Sequence, residues 1–213
     1  MKTNDLIDML GTNVEPVADG ARREALLAAL GLGAATALCL IFAIFGVPGE
    51  AFGGNFLGLT ILTLAYMLGL AAVGARFLSM AARPGNAGRG ALAVVGLLLL
   101  VLAAVAVFAL SLTPPSGWRA MIFGPQWGAC LVCIPLAAII PFSSLVWYLR
   151  NQAPTRLRLT GAVAGLVAGA IGATAVALHH PGGSLPFVAL WFGGPVILCA
   201  LIGAILGPRL LRW

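Results

Sequence analysis

Residues 91–112 read ALAVVGLLLLVLAAVAVFALSL, an apolar run without an Asp, Glu, Lys or Arg. A helix needs about 20 such residues to cross the ~30 Å hydrocarbon core of a bilayer. A helix at the surface of a soluble domain would carry a polar face, and this run has none. Five further stretches share its character, at residues 25–47, 56–74, 129–149, 160–180 and 188–207, and none of them contains an Asp, Glu, Lys or Arg. The segments between them are short and rich in Gly, Pro and Arg, as helix boundaries are. Over the 213 residues, 61% are hydrophobic and 8% charged, with a mean hydropathy of +1.06. A soluble domain carries about 25% charged residues. Strand-period alternation over ~10 residues, the mark of an outer-membrane barrel, is absent. The expected fold is therefore an all-α membrane protein, a six-transmembrane-helix bundle.

The cations set its orientation. Lys2, Arg22 and Arg23 precede the first run; Arg76, Arg83 and Arg89 lie between the second and third. Arg150, Arg156 and Arg158 lie between the fourth and fifth, and Arg209 and Arg212 follow the sixth. Eleven of the 12 Lys and Arg thus fall on one side of a six-span chain, with Arg119 alone on the other. The positive-inside rule predicts both termini in the cytoplasm. The net charge of +6 and pI of 9.9 are then a signal of topology rather than of direct nucleic-acid binding. Trp118, Trp127, Trp147, Tyr148 and Trp213 fall near span ends, where amphipathic rings prefer the headgroups. The first run is longer than a signal peptide's apolar core, and acidic residues crowd its N-terminal side, so it is read as a retained span.

Residues 1–24 form a separate unit, a short cytoplasmic N-terminal tail ahead of a transmembrane domain over 25–213. The tail holds Asp5, Asp8, Glu15, Asp19 and Glu24, five of the six acidic residues. Thr3 can cap a short helix with Asp5 and Asp8 in its first turns and Leu6, Ile7 and Leu10 as its apolar positions. Gly11 and Pro16 would stop it before the membrane. Such a tail is either a frayed, solvated end or a segment that folds on a partner.

Within the fifth run Gly161, Gly165, Gly169, Ala173 and Ala177 recur every four residues, and Gly203 and Gly207 repeat the spacing in the sixth. Small residues on one stripe let a neighbouring helix approach closely. Packing inside the bundle accounts for both stripes, and whether copies also associate is open. Pro135, Pro141 and Pro195 each remove a helical hydrogen bond and mark candidate kinks.

Catalysis is not expected. The runs hold no ionisable side chain except histidines near one end, and no Ser-His-Asp set, zinc-protease helix or phosphate-binding loop is present. One constellation does carry chemistry. Cys130 and Cys133 lie in the first outer turn of the fourth run, and His179 and His180 end the fifth, at one depth facing away from the cytoplasm. They are inert packing groups, or ligands for a thiophilic metal such as zinc or cadmium, or, for the two cysteines, a redox pair. Cys39 and Cys199 lie mid-span without partners.

The chain resembles the NrsF family, bacterial inner-membrane anti-sigma factors of extracytoplasmic-function (ECF) type and negative regulators of SigF. The resemblance runs from Met1-Lys2-Thr3 with Asp5-Leu6-Ile7, through Cys130-Leu131 ahead of Ile134-Pro135, to Ala153-Pro154-Thr155-Arg156. It continues with Ala177-Leu178-His179 before Pro181 and Phe187-Val188-Ala189 leading to Trp191, and ends on Gly207-Pro208-Arg209-Leu210-Leu211-Arg212-Trp213. It implies a tail, here Asp5, Leu6, Ile7, Asp8 and Leu10, that holds a cytoplasmic ECF sigma factor at the inner membrane. It also implies an outward pair of cysteines linking release to heavy-metal or oxidative stress. The first of that pair is Cys130, and the place of the second is taken by His180, which makes Cys130 and His180 the implied metal donors. The expected function is a multi-pass anti-sigma factor without catalysis or a resident cofactor beyond a transient zinc or cadmium. The competing readings are a small metal or solute transporter, disfavoured by the lack of buried carboxylates, and a structural membrane subunit.

Overall fold

Eight helices make up the part of the chain described by the computed structural model, which covers residues 19–46, 57–81, 89–124, 127–152, 154, 156–179 and 184–212. They are α1 (Asp19–Phe45), α2 (Leu57–Ala81), α3 (Arg89–Ser111), α4 (Pro115–Ile122), α5 (Trp127–Arg150), α6 (Leu157–His179), α7 (Leu185–Trp191) and α8 (Gly193–Leu210). Six segments are long and apolar enough to cross a membrane: α1, α2, α3, the α4–α5 stretch, α6 and the α7–α8 pair. Their outer faces carry large apolar side chains such as Leu100, Val107 and Phe108, each about two-thirds exposed. A soluble monomer rarely presents so much contiguous apolar surface, and lipid is the solvent that suits it.

Several helices overrun the runs read from sequence. α1 begins at Asp19, taking in Arg22, Arg23 and Glu24, and α2 continues through Arg76 to Ala81. A charge near a span's end does not interrupt the backbone ladder, because a long cationic side chain can reach the interface while its stem stays apolar. At the other end of the chain the sixth span starts at Leu185, capped by Ser184, whose hydroxyl accepts from the Phe187 N–H. It breaks at Phe192 ahead of Gly193-Gly194-Pro195. Pro195 offers no N–H to the Trp191 carbonyl and its ring crowds that group, which accounts for the interruption. Pro135 and Pro141 leave α5 continuous.

The helix at the centre is α6. Sixteen of its 23 residues are buried, on every side, and its neighbours are α8, α5, α2 and α1. That position suits its composition, since Gly and Ala around the whole circumference let four helices approach at once. On the α8 side, a Cβ on Gly161 would lie 2.7 Å from the Gly207 Cα, and one on Gly169 would lie 3.1 Å from the Val196 Cα. A Cβ on Gly165 would fall on the Cys199 carbonyl, and one on Gly203 on the Gly161 carbonyl. The two small-residue stripes are therefore consumed by each other, as bundle packing. On the α5 side, a Gly172 Cβ would meet the Ile134 carbonyl oxygen at 2.8 Å. Gly33 of α1 similarly presses on Pro141 of α5.

Polar groups are few and mostly satisfied within the bundle, as lipid requires. Some hydroxyls join long helices: Ser144 donates to the Ala29 carbonyl at 3.0 Å and Tyr66 to the Leu98 carbonyl at 2.9 Å. Thr36, Thr63, Ser143 and Thr174 donate to the carbonyl four residues back in their own helices. Thr160 is wholly buried, and its hydroxyl has no hydrogen-bond partner among the described residues.

Antiparallel neighbours bring Arg22, Arg76, Arg150, Arg158 and Arg209 to one end of the bundle, hereafter the arginine-rich end. The first turn of α5 and the last turns of α1 and α6 lie at the opposite end.

Candidate functional site

The opposite end holds Cys130, Cys133 and His179, three of the four side chains singled out from the sequence. Gly172 of α6 sits against Ile134 and Ala138 of α5. One turn further toward this end lie Cys130 on α5 and Val176 on α6, both fully buried. Cys133, three residues on, is half-buried, and all four cysteines are free thiols. His179 closes α6 with its ring against Phe45, centroids 5.1 Å apart, which ties the last turn of α1 to the last turn of α6. Among the described residues, no three His, Cys, Asp or Glu side chains lie close enough together to hold a metal ion. Cys130, Cys133 and His179 thus share a depth without forming a three-donor cluster. His180 lies outside the described residues. So do Asp5, Leu6, Ile7, Asp8 and Leu10 of the tail.

The donor types fit a soft divalent ion, but Cys130 and His180 supply only two of the four positions a structural zinc site fills. Full burial matters more. A thiol enclosed by apolar groups is unreactive toward metals and oxidants, so this arrangement shields Cys130.

A cap that the sequence reading missed covers the same end. α4 is an eight-residue helix with no buried residue, and Pro115 stands in its first turn. Trp118 turns its indole N–H back to the Leu110 and Thr113 carbonyls, each at 3.0 Å, satisfying the end of α3. Trp191 donates to the Ile122 carbonyl at 2.8 Å and Ser184 to the Met121 carbonyl at 2.6 Å, fastening α7 to α4. Phe123, Trp127 and Trp191 cluster with ring centroids 5.0 to 6.0 Å apart. Pro114-Pro115 was the available signal, since Pro favours the first helical position.

Ser143 donates to Ile139, and Ser144 to Ala29 and Pro141, so both hydroxyls serve the backbone. The profile of the family described as "Negative regulator of sigma F" matches residues 10–213. The chain belongs to the NrsF family. The family is a regulatory one. Two relatives align over the full length of both chains: the probable anti-sigma-F factor NrsF of Azospira oryzae, 33% identical, and the anti-sigma-F factor NrsF of Caulobacter vibrioides, 34% identical. No solved structure matches the chain. The family match takes in Cys130, Cys133, His179 and His180, but of the five candidate tail residues it includes only Leu10.

Proposed function

We propose that this protein holds an ECF sigma factor at the cytoplasmic face of the bacterial inner membrane and releases it on an envelope signal, heavy metal or oxidative stress. The observation that carries the reading is the match of the NrsF family across 10–213 together with two relatives aligned end to end, one named anti-sigma-F factor NrsF and the other probable anti-sigma-F factor NrsF. The cation distribution supports a cytoplasmic position for the arginine-rich end and for both termini. Residues 1–24 then act as the sigma-binding segment, with 25–213 as the membrane domain. Asp5 and Asp8 would steer the tail to a partner that must be basic to bind nucleic acid, while Leu6, Ile7 and Leu10 bury against it.

Co-purification of the sigma factor with the full-length protein tests this. Replacing Leu6 and Leu10 by Ala should cost roughly 2 kcal/mol of interface energy, about 30-fold in affinity, with insertion unchanged. Charge reversal at Asp5 and Asp8 should mainly slow association. Undiminished co-purification of the double-Ala variant, or a reporter fused after Trp213 that reads outside, would sink the assignment.

A further inference from the structure

α1 and α2 both pack on α6 but scarcely on each other. At the arginine-rich end the gap between them opens into a cleft of about 830 Å³. Arg22 and Arg23 from the first turns of α1 and Arg76 from α2 stand around it, and Leu26 and Leu30 form an apolar wall. Tyr148 of α5 also lines it, 3% exposed. Among the described residues, no acidic side chain lines the cleft. Neither the three guanidinium groups in an ion pair nor the Tyr148 hydroxyl in a hydrogen bond has a partner among the described residues.

Three cations bordering one cleft with an apolar wall are a more particular arrangement than topology requires, which needs only that they lie on the correct side. Like charges drawn together repel unless an anion sits between them, and a guanidinium matches phosphate oxygens in a two-pronged fashion. A buried phenol adds a neutral donor. We propose that this cleft binds an anionic phospholipid, its headgroup phosphate held by Arg22, Arg23 and Arg76 with the Tyr148 hydroxyl donating, and its first methylenes along Leu26 and Leu30. Basic pockets between membrane helices on the cytoplasmic side are suited to such headgroups. A free phosphate would leave the apolar wall idle. The acidic N-terminal segment is the other candidate occupant by charge. Lipid is favoured because Leu27, which also lines the cleft, is 56% exposed, so the cleft opens onto the apolar outer surface of α1, which a bilayer would cover. The proposal rests on the arginine-rich end lying at the headgroups, and its readout does not involve a sigma factor. A failed co-purification leaves it standing, and its own failure leaves the anti-sigma reading intact.

The test is native mass spectrometry of the full-length protein, released from detergent after exchange with phosphatidylglycerol or phosphatidylcholine. The wild type should retain phosphatidylglycerol preferentially. At about five-fold per arginine, Arg22→Gln with Arg76→Gln should lower that retention about 30-fold. Arg150→Gln, at the same end but outside the cleft, should leave it unchanged. Should the double variant fail to insert, Tyr148→Phe keeps every charge and should still weaken retention about five-fold. Equal retention of the two lipids overturns the proposal. So does an equal loss in Arg150→Gln, which would mean general surface charge, or full displacement by inorganic phosphate, which would mean a free-anion site. Binding that begins only after residues 2–18 are deleted would assign the cleft to the N-terminal segment instead.

Discussion

Gly165→Leu should leave no folded bundle, and Gly165→Ala should already destabilise it by about 3 kcal/mol, the upper end for overpacking a tight core. The reason lies in what the new atom would meet. A Cβ at Gly165 would lie on the Cys199 carbonyl oxygen, 2.9 Å from its carbon and 3.2 Å from the Ala200 Cα. All three are backbone, so no side chain can swing aside. α8 would have to move out as a rigid body and lose its contacts at Gly161, Gly169, Gly203 and Gly207 together. In lipid, where apolar surface gains little by leaving its solvent, those van der Waals contacts are the main force holding the pair. Gly96→Ala is the matched control, because nothing lies within 4 Å of a Cβ there. It should be neutral or slightly stabilising, as Ala favours helix over Gly. Denaturant titration in mixed micelles, followed by helical circular dichroism, reads both. A Gly165→Ala variant as stable as the wild type would mean that α6 and α8 do not approach this closely.

Physics explains which parts of this arrangement could be read from the sequence. The six long apolar helices were legible because the length and all-round apolar surface that a bilayer would impose are written in the sequence, as residues 91–112 display. The stripe from Gly161 to Ala177 was legible as a contact face, because small residues every four positions have few other uses. Its partner was not, since periodicity identifies a face and not what covers it; only the structure places Gly203 and Gly207 opposite. The overrun of α2 past Arg76 was missed because a charge ends an apolar run without ending a helix. α4 was missed because eight residues with an exposed Arg119 and Trp118 have neither the length nor the apolarity of a span. The cleft behind Arg22, Arg76 and Tyr148 depends on how far α1 splays from α2, a tertiary quantity with no sequence period. The depth shared by Cys130 and His179 followed from span boundaries, whereas the complete burial of Cys130 did not.

That burial shapes the last expectation: Cys130→Ser should abolish release of the sigma factor under cadmium or zinc, while Cys39→Ser and Cys199→Ser leave it intact. The fully enclosed thiol of Cys130 cannot meet a metal ion in the packed arrangement. A metal signal therefore needs a second arrangement in which the Cys130 end of α5 and the His179 end of α6 part, and it acts only by binding that one better. Moving such an equilibrium from 1:99 to 99:1 takes roughly 10⁴-fold tighter binding to the open form. A thiolate and an imidazole, with further donors from Cys133, His179 or water, are suited to it, and Ser at 130 removes the strongest. Thiol and imidazole must both shed a proton to bind, so the response should be stronger at neutral than at acid pH. The seam from Gly172 to Ile134 and Ala138 would carry the parting toward the arginine-rich end, where α1 leads into the tail. His180→Cys is the sharper variant. It restores the second thiol that the family resemblance implies, and two thiols can give up two protons and two electrons to peroxide and close as a disulfide. That variant should respond to peroxide more strongly than the wild type, and the added response should vanish when Cys130→Ser is introduced. Normal metal-induced release from Cys130→Ser, scored by transcription from a sigma-dependent promoter, would move the sensor elsewhere and leave Cys130 as a packing residue between α5 and α6.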